Sequence, residues 1–129
     1  MNTAFLCLFV ALVIPYILAF SSIPFRLKQF GNVNFNDPRA QGEQLVENGA
    51  RIVAAQKNAW EALAVFAVTL LIGVTYEVPE NVLATASLVF IGARIAHAFF
   101  YMMGQGALRA LSFGAAFGAC LWIMIIALF

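Results

Sequence analysis

Residues 110–129 read ALSFGAAFGACLWIMIIALF, twenty positions without one charged side chain. A helix rises about 1.5 Å per residue and a bilayer's hydrocarbon core is about 30 Å thick, so about 20 apolar residues cross it. This run is long enough by itself. Working back along the chain, residues 95–108, 81–93 and 62–76 are also free of charge, and so is the whole of 1–25. The first run also spans alone; the middle ones do so by taking in polar residues near one end. The pattern predicts an all-α integral membrane protein, a bundle of four transmembrane helices with spans at about 3–25, 57–76, 80–102 and 107–128.

Composition agrees. Of 129 residues 64% are hydrophobic, and seven basic and six acidic side chains leave a net charge of +1. Soluble domains carry about 25% charged residues, and the 10% found here is too little to cover so small a chain with polar surface. Disorder is excluded on the same ground. Without a basic cluster, nucleic acid is not expected as a partner. Cys7 and Cys120 lie in apolar runs with no CxxC and no Cys/His cluster. They read as packed or lipid-facing thiols, and no metal site is expected. The first twenty residues lack the basic start and small-x-small site of a cleaved signal. They read as the first span, which Pro15 is placed to kink. No repeat or second domain is evident, so 1–129 reads as one membrane domain.

The second helix reads as longer than the membrane. Asn36-Asp37-Pro38 is a start signal, an Asp able to cap and a Pro at the first helical position. Glu43 suits the early turns, and Glu47 and Arg51 are an ordinary i, i+4 pair. With nothing read as a breaker before Gly73, the pattern predicts one helix over 38–76. It would be about 58 Å long, with roughly half of it in water.

Lys and Arg set the orientation. Arg26, Lys28, Arg39, Arg51 and Lys57 fall between the first and second spans, and Arg109 follows the turn between the third and fourth. The connection between the second and third spans has Glu77 and Glu80 and no base. The positive-inside rule makes the first and third connections cytoplasmic, with both termini outside or in the lumen.

Few ionisable groups lie at membrane depth, and such groups usually face a bundle interior. Counting from Tyr76, Glu61 lies about 6 Å inside the cytoplasmic boundary; counting from Glu80, Arg94 lies about 9 Å inside it. Lys57, Asn58, Tyr101 and Arg109 fall in a layer just below. Lys57 and Asn58 are four and three residues from Glu61, and Arg94, His97 and Tyr101 share one helix face. Two faces with complementary polar groups at one depth predict a pocket between helices, open to the cytoplasmic half. Lys57, Arg94 and Arg109 would suit a small anionic ligand, since an Arg fork binds both carboxylate oxygens. Each group also has a plainer reading: a register-fixing Glu61–Arg94 pair, a packing His97, a snorkelling Lys57, an anchoring Arg109, and Tyr101 in an aromatic belt.

The segment Ala54-Ala55-Gln56-Lys57-Asn58-Ala59-Trp60-Glu61 resembles the helix 2 signature of the MAPEG family, membrane-associated proteins in eicosanoid and glutathione metabolism, which runs Arg-Ala-His/Gln-x-Asn-x-x-Glu. Arg94-Ile95-Ala96-His97-Ala98-Phe99-Phe100-Tyr101, followed by Leu108-Arg109, resembles the family's helix 3 and the start of its helix 4. Asn36-Asp37-Pro38-Arg39 is similar to bacterial members. The resemblance covers nearly the whole chain. It implies a homotrimer of four-helix subunits in a bacterial inner membrane, with glutathione as co-substrate bound between subunits toward the cytoplasm. It further implies that Asn58 and Glu61 bind the glutathione peptide and amino group, and that Lys57 stands where some members have a binding Arg. Arg94, His97 and Tyr101 would line the pocket. Arg109 would be the catalytic Arg that stabilises the thiolate, because a nearby cation lowers a thiol's pKa. One departure stands out. Where the signature opens with Arg, this chain has Ala54; Arg51, one turn earlier on a similar face, is the nearest replacement and a candidate glutathione ligand.

Three functions fit this reading. The first is a glutathione transferase or peroxidase acting on lipophilic electrophiles drawn from the bilayer. The second, favoured by Ala54, is a non-catalytic lipid-binding or accessory membrane protein of the same fold. The third is a small proton-coupled exporter using Glu61, against which stands the cationic neighbour expected in Arg94.

Overall fold

The computed structural model describes residues 2–129. They form six helices and no strand: α1 (Asn2–Ser21), α2 (Ile23–Phe30), α3 (Pro38–Glu43), α4 (Glu47–Thr75), α5 (Glu80–Met102) and α6 (Gly106–Leu128). Four stretches are long and apolar enough to cross a membrane: Asn2–Phe30, Glu47–Thr75, Glu80–Met102 and Gly106–Leu128.

The first helix outruns the expected end at residue 25. Across Ser22 the helical bonding continues, with Ser22 N donating to Leu18 O at 3.2 Å and Arg26 N to Ser22 O at 3.1 Å. Pro24 sits in the first turn of α2, where a missing N–H costs nothing. Gly31, left-handed at φ 77°, closes the helix by donating to Leu27 O. Pro15 is buried within α1 and does not end it.

The expected single helix over 38–76 is instead two, broken at residues 44–46. The cause lies outside the segment. Gln29, on α2, donates through Nε2 to Gln44 O at 2.8 Å and accepts at Oε1 from Val46 N at 3.1 Å. One amide thus satisfies both backbone groups that a break exposes. Arg26 fixes α3 in the same way. It donates to Pro38 O at 2.7 Å and Gln41 Oε1 at 3.1 Å through Nη1, and to Ser22 Oγ at 3.1 Å through Nε. Gln41 in turn holds the loop, donating to Asn32 O and accepting from Asn34 N, both at 3.0 Å. Gly42 leaves room for this, since a Cβ there would stand 2.9 Å from Arg26 Nη2. The expected Glu47–Arg51 pair gives way too: Glu47 takes a left-handed φ of 49° at the start of α4, and Arg51 donates to Asn48 instead. At 29 residues, α4 is still about 44 Å long, some 14 Å more than the hydrocarbon core.

Gln41 is therefore the keystone of the connector. Gln41→Leu should loosen it, because a hydrogen bond to a charged group contributes about 1.5–3 kcal/mol. Limited proteolysis should then cut faster within 31–46, with the four long helices left intact.

α5 packs along α6 and α1 along α4. Small buried residues permit the approach: Ala4 and Ala11 on α1, Ala86 on α5, Ala116 and Ala119 on α6. Phe66 and Phe90 stack at 4.0 Å in the centre. At Gly73 a Cβ would stand 2.8 Å from both Ile123 Cγ2 and Leu83 Cδ2, so only hydrogen fits between α5 and α6 there. Cys7 and Cys120 are free and packed inside. The turn into α5 is a Schellman closure: Val78 N reaches Gly73 O at 2.9 Å and Glu77 N reaches Val74 O at 3.2 Å, with Glu77 left-handed at φ 55°.

Candidate functional site

Helical phase divides α4 into two working faces. Asn58, Ala62 and Val65 turn toward α5 and α6 and line a cleft of about 230 Å³ with Arg94, Phe90 and Phe117. Val53, Gln56, Lys57 and Trp60 turn the other way and line a groove with α1, α2 and α3. Glu61 is exposed on the ridge and touches both. This follows from 3.6 residues per turn: Glu61, three residues past Asn58, is rotated about 60° away from it.

The structure brings five of the expected residues into one line across α4, α5 and α6. Arg94 is buried, 5% exposed, and donates through Nη2 to Asn58 Oδ1 at 2.7 Å. His97, one turn on, is 3% exposed. Its ring meets the Tyr101 ring edge to face at 5.7 Å. The Arg109 guanidinium lies over Tyr101, 4.5 Å from the ring centre. Asn58, His97, Tyr101 and Arg109 together wall a second cleft of about 350 Å³ toward the α5–α6 turn.

Two atoms in this line stand out. Arg94 Nη1 and His97 Nδ1 are buried and have no hydrogen-bond partner among the described residues. An unpaired buried polar group costs about 1–3 kcal/mol, and more when charged. Such a cost is seldom retained for packing alone. The line is rich in donors, with two guanidinium groups on it, and so suits an anion.

Of the other three expected members, Glu61 lines the rim of the first cleft, while Lys57 and Arg51 stand elsewhere. No Glu61–Arg94 ion pair forms among the described residues: Arg94 donates to Asn58, and Glu61 is exposed at the cleft rim. Depth counting put both carboxylate and guanidinium at one level. Equal depth fixes neither the rotation of Glu61 around α4 nor where a long Arg side chain reaches. Lys57 pairs across the other groove with Glu43 Oε1 at 3.3 Å, both side chains more than half exposed. Such a pair contributes little, at most about 1 kcal/mol. Arg51 reaches the α5–α6 turn, donating to Met102 O at 3.4 Å. The apolar lining was not expected from the sequence, Phe113 included. Phe113 lines both clefts and stacks on Phe117 with ring centres 6.2 Å apart. Its position four residues after Arg109 was the available signal.

Four helices long and apolar enough to cross a membrane, with Arg94 and His97 buried between them, define a small integral membrane protein. Residues 3–129 match the MAPEG family. The chain belongs to that family, and it is a membrane protein related to glutathione and eicosanoid metabolism. No curated protein matches it in direct sequence comparison.

Proposed function

We propose that this protein is a membrane-bound glutathione transferase or peroxidase, with glutathione held along the Asn58–Arg94–His97–Tyr101–Arg109 line. The observation that carries this reading is the buried guanidinium of Arg94, bonded to Asn58 and with Nη1 unpartnered among the described residues. The donor set fits the ligand. Glutathione offers two carboxylates and a thiolate for Arg94 and Arg109, amide groups for Asn58, and an ammonium for Glu61. Arg109 would hold the sulfur as thiolate, the nucleophilic form. The thiolate then attacks an electrophilic carbon, forming a C–S bond as the leaving group departs with its electron pair. The apolar walls, Val65, Phe113 and Phe117, suit an electrophile arriving from lipid. Catalysis as a homotrimer in a bacterial inner membrane, with both the α2–α3 connector and the α5–α6 turn in the cytoplasm, completes the reading. Detergent-purified protein should turn over apolar electrophiles or hydroperoxides only when glutathione is present; absence of turnover across such a panel rejects it.

A second reading, non-catalytic lipid binding, is favoured by one observation. Of the four cations expected at the site, Arg51 and Lys57 are engaged elsewhere, and Ala54 supplies none. Under that reading Arg109→Ala leaves lipid binding unchanged.

A further inference from the structure

Arg51 lies seven residues before Asn58, two turns down the same face of α4. Its guanidinium bridges two elements. Nη1 donates to Asn48 Oδ1 on its own helix and to Met102 O on α5, each at 3.4 Å. Met102 ends α5, so its carbonyl is one of the last four, which lack helical donors and carry the negative end of the helix dipole. A cation is the matching group there.

The guanidinium also lies flat against the turn. A Cβ at Gly104 would stand 3.1 Å from Cζ, Nη1 and Nη2 of Arg51 alike. Gly104 is left-handed at φ 69°, a conformation other residues resist. The positive φ favours glycine, and the close approach seats a planar group that an ammonium replaces only in part. The turn links two members of the site. Tyr101 precedes Met102 by one residue, and Arg109 follows Gly104 by five. Gln105 N closes the turn on Phe100 O at 2.9 Å, and Arg109 N bonds Gln105 O at 2.9 Å. Any shift of this turn changes the register of Arg109 over Tyr101.

We propose that Arg51 is a positioning residue, a clamp from α4 onto the α5–α6 turn that sets the Arg109–Tyr101 stack and does not itself touch the ligand. The consequence for thiolate formation rests on the glutathione reading; the clamp does not. Fluorotyrosine labelling and ¹⁹F NMR of the full chain in detergent separates the two. The three tyrosines, Tyr16, Tyr76 and Tyr101, give three resonances, assigned by single Tyr→Phe variants. Arg51→Ala and Gly104→Ala should each displace the Tyr101 resonance in the direction that Arg109→Ala does, with Tyr16 and Tyr76 unmoved. Arg51→Lys should fall between. Glutathione added to Arg51→Ala should bind within about threefold of wild-type affinity but show less thiolate absorbance. A Tyr101 resonance that stays at its wild-type position in Arg51→Ala while moving in Arg109→Ala overturns the clamp. So does a displacement of all three resonances, which marks a global change. Wild-type protein that binds no glutathione defeats the glutathione reading and leaves the fluorine test standing.

Discussion

Asn58→Leu is expected to destabilise the protein by about 2 kcal/mol. The hydrogen bond alone does not account for that, since interhelical bonds in membranes average about 0.6 kcal/mol and reach about 1.7. The larger part comes from what is left behind. Arg94 is 5% exposed, its Nη1 already lacks a partner among the described residues, and Asn58 Oδ1 is the acceptor its Nη2 holds. Removing that acceptor strands a buried charge. Replacing both partners by apolar residues removes the charge as well as its acceptor. The Asn58→Leu/Arg94→Met double variant should therefore be more stable than Asn58→Leu alone, with a coupling of about 1 kcal/mol or more. Denaturation in mixed micelles of the four proteins in this cycle measures it. Additive losses would mean that Asn58 and Arg94 stand independently, each satisfied by lipid headgroups or water.

Arg109→Ala is expected to have the largest effect on ligand chemistry. Its guanidinium is held over Tyr101 at 4.5 Å, a contact contributing about 0.5–2 kcal/mol depending on desolvation. The stack fixes where the charge points, into the cleft shared with Asn58 and His97. Without it, glutathione should bind at least about tenfold more weakly, a loss of about 1.4 kcal/mol. The ultraviolet absorbance of bound thiolate at neutral pH should disappear. Arg109→Lys should keep part of both, because the charge remains while the planar fork that stacks and binds bidentately does not. Unchanged thiolate absorbance in Arg109→Ala would move the thiolate partner to Arg94.

How much of this could be read beforehand depends on where each constraint lives. The four spans were legible because membrane crossing is written in one dimension, as runs without charge; α5 over Glu80–Met102 and α6 over Gly106–Leu128 lie within a residue of the expected bounds. The Arg94, His97 and Tyr101 face was legible from i, i+3, i+7 spacing, and depth counting placed Asn58 and Arg109 beside it. The Glu61–Arg94 pair failed because depth fixes one coordinate and leaves rotation about the helix free. Glu61 is turned about 60° from Asn58, and that angle sends it to the ridge between two grooves. Lys57, on the far face, meets Glu43 for the same reason. The break at 44–46 had no local signal strong enough to find. It is made by Gln29 and Arg26, some 15 residues upstream, and such tertiary bonds override local preference. The Glu47 φ of 49° is equally silent in sequence, since left-handed positions usually carry Gly, Asn or Asp.

The central claim is that the line from Asn58 to Arg109, with Arg94 and His97 buried at its middle, binds glutathione. Calorimetric titration of glutathione into detergent-purified wild-type protein, with Arg94→Met alongside, tests it most directly. Saturable binding by the wild type, weakened at least about tenfold in the variant, is the predicted result. No heat of binding to wild type at millimolar glutathione, or equal affinity in the two proteins, would contradict it.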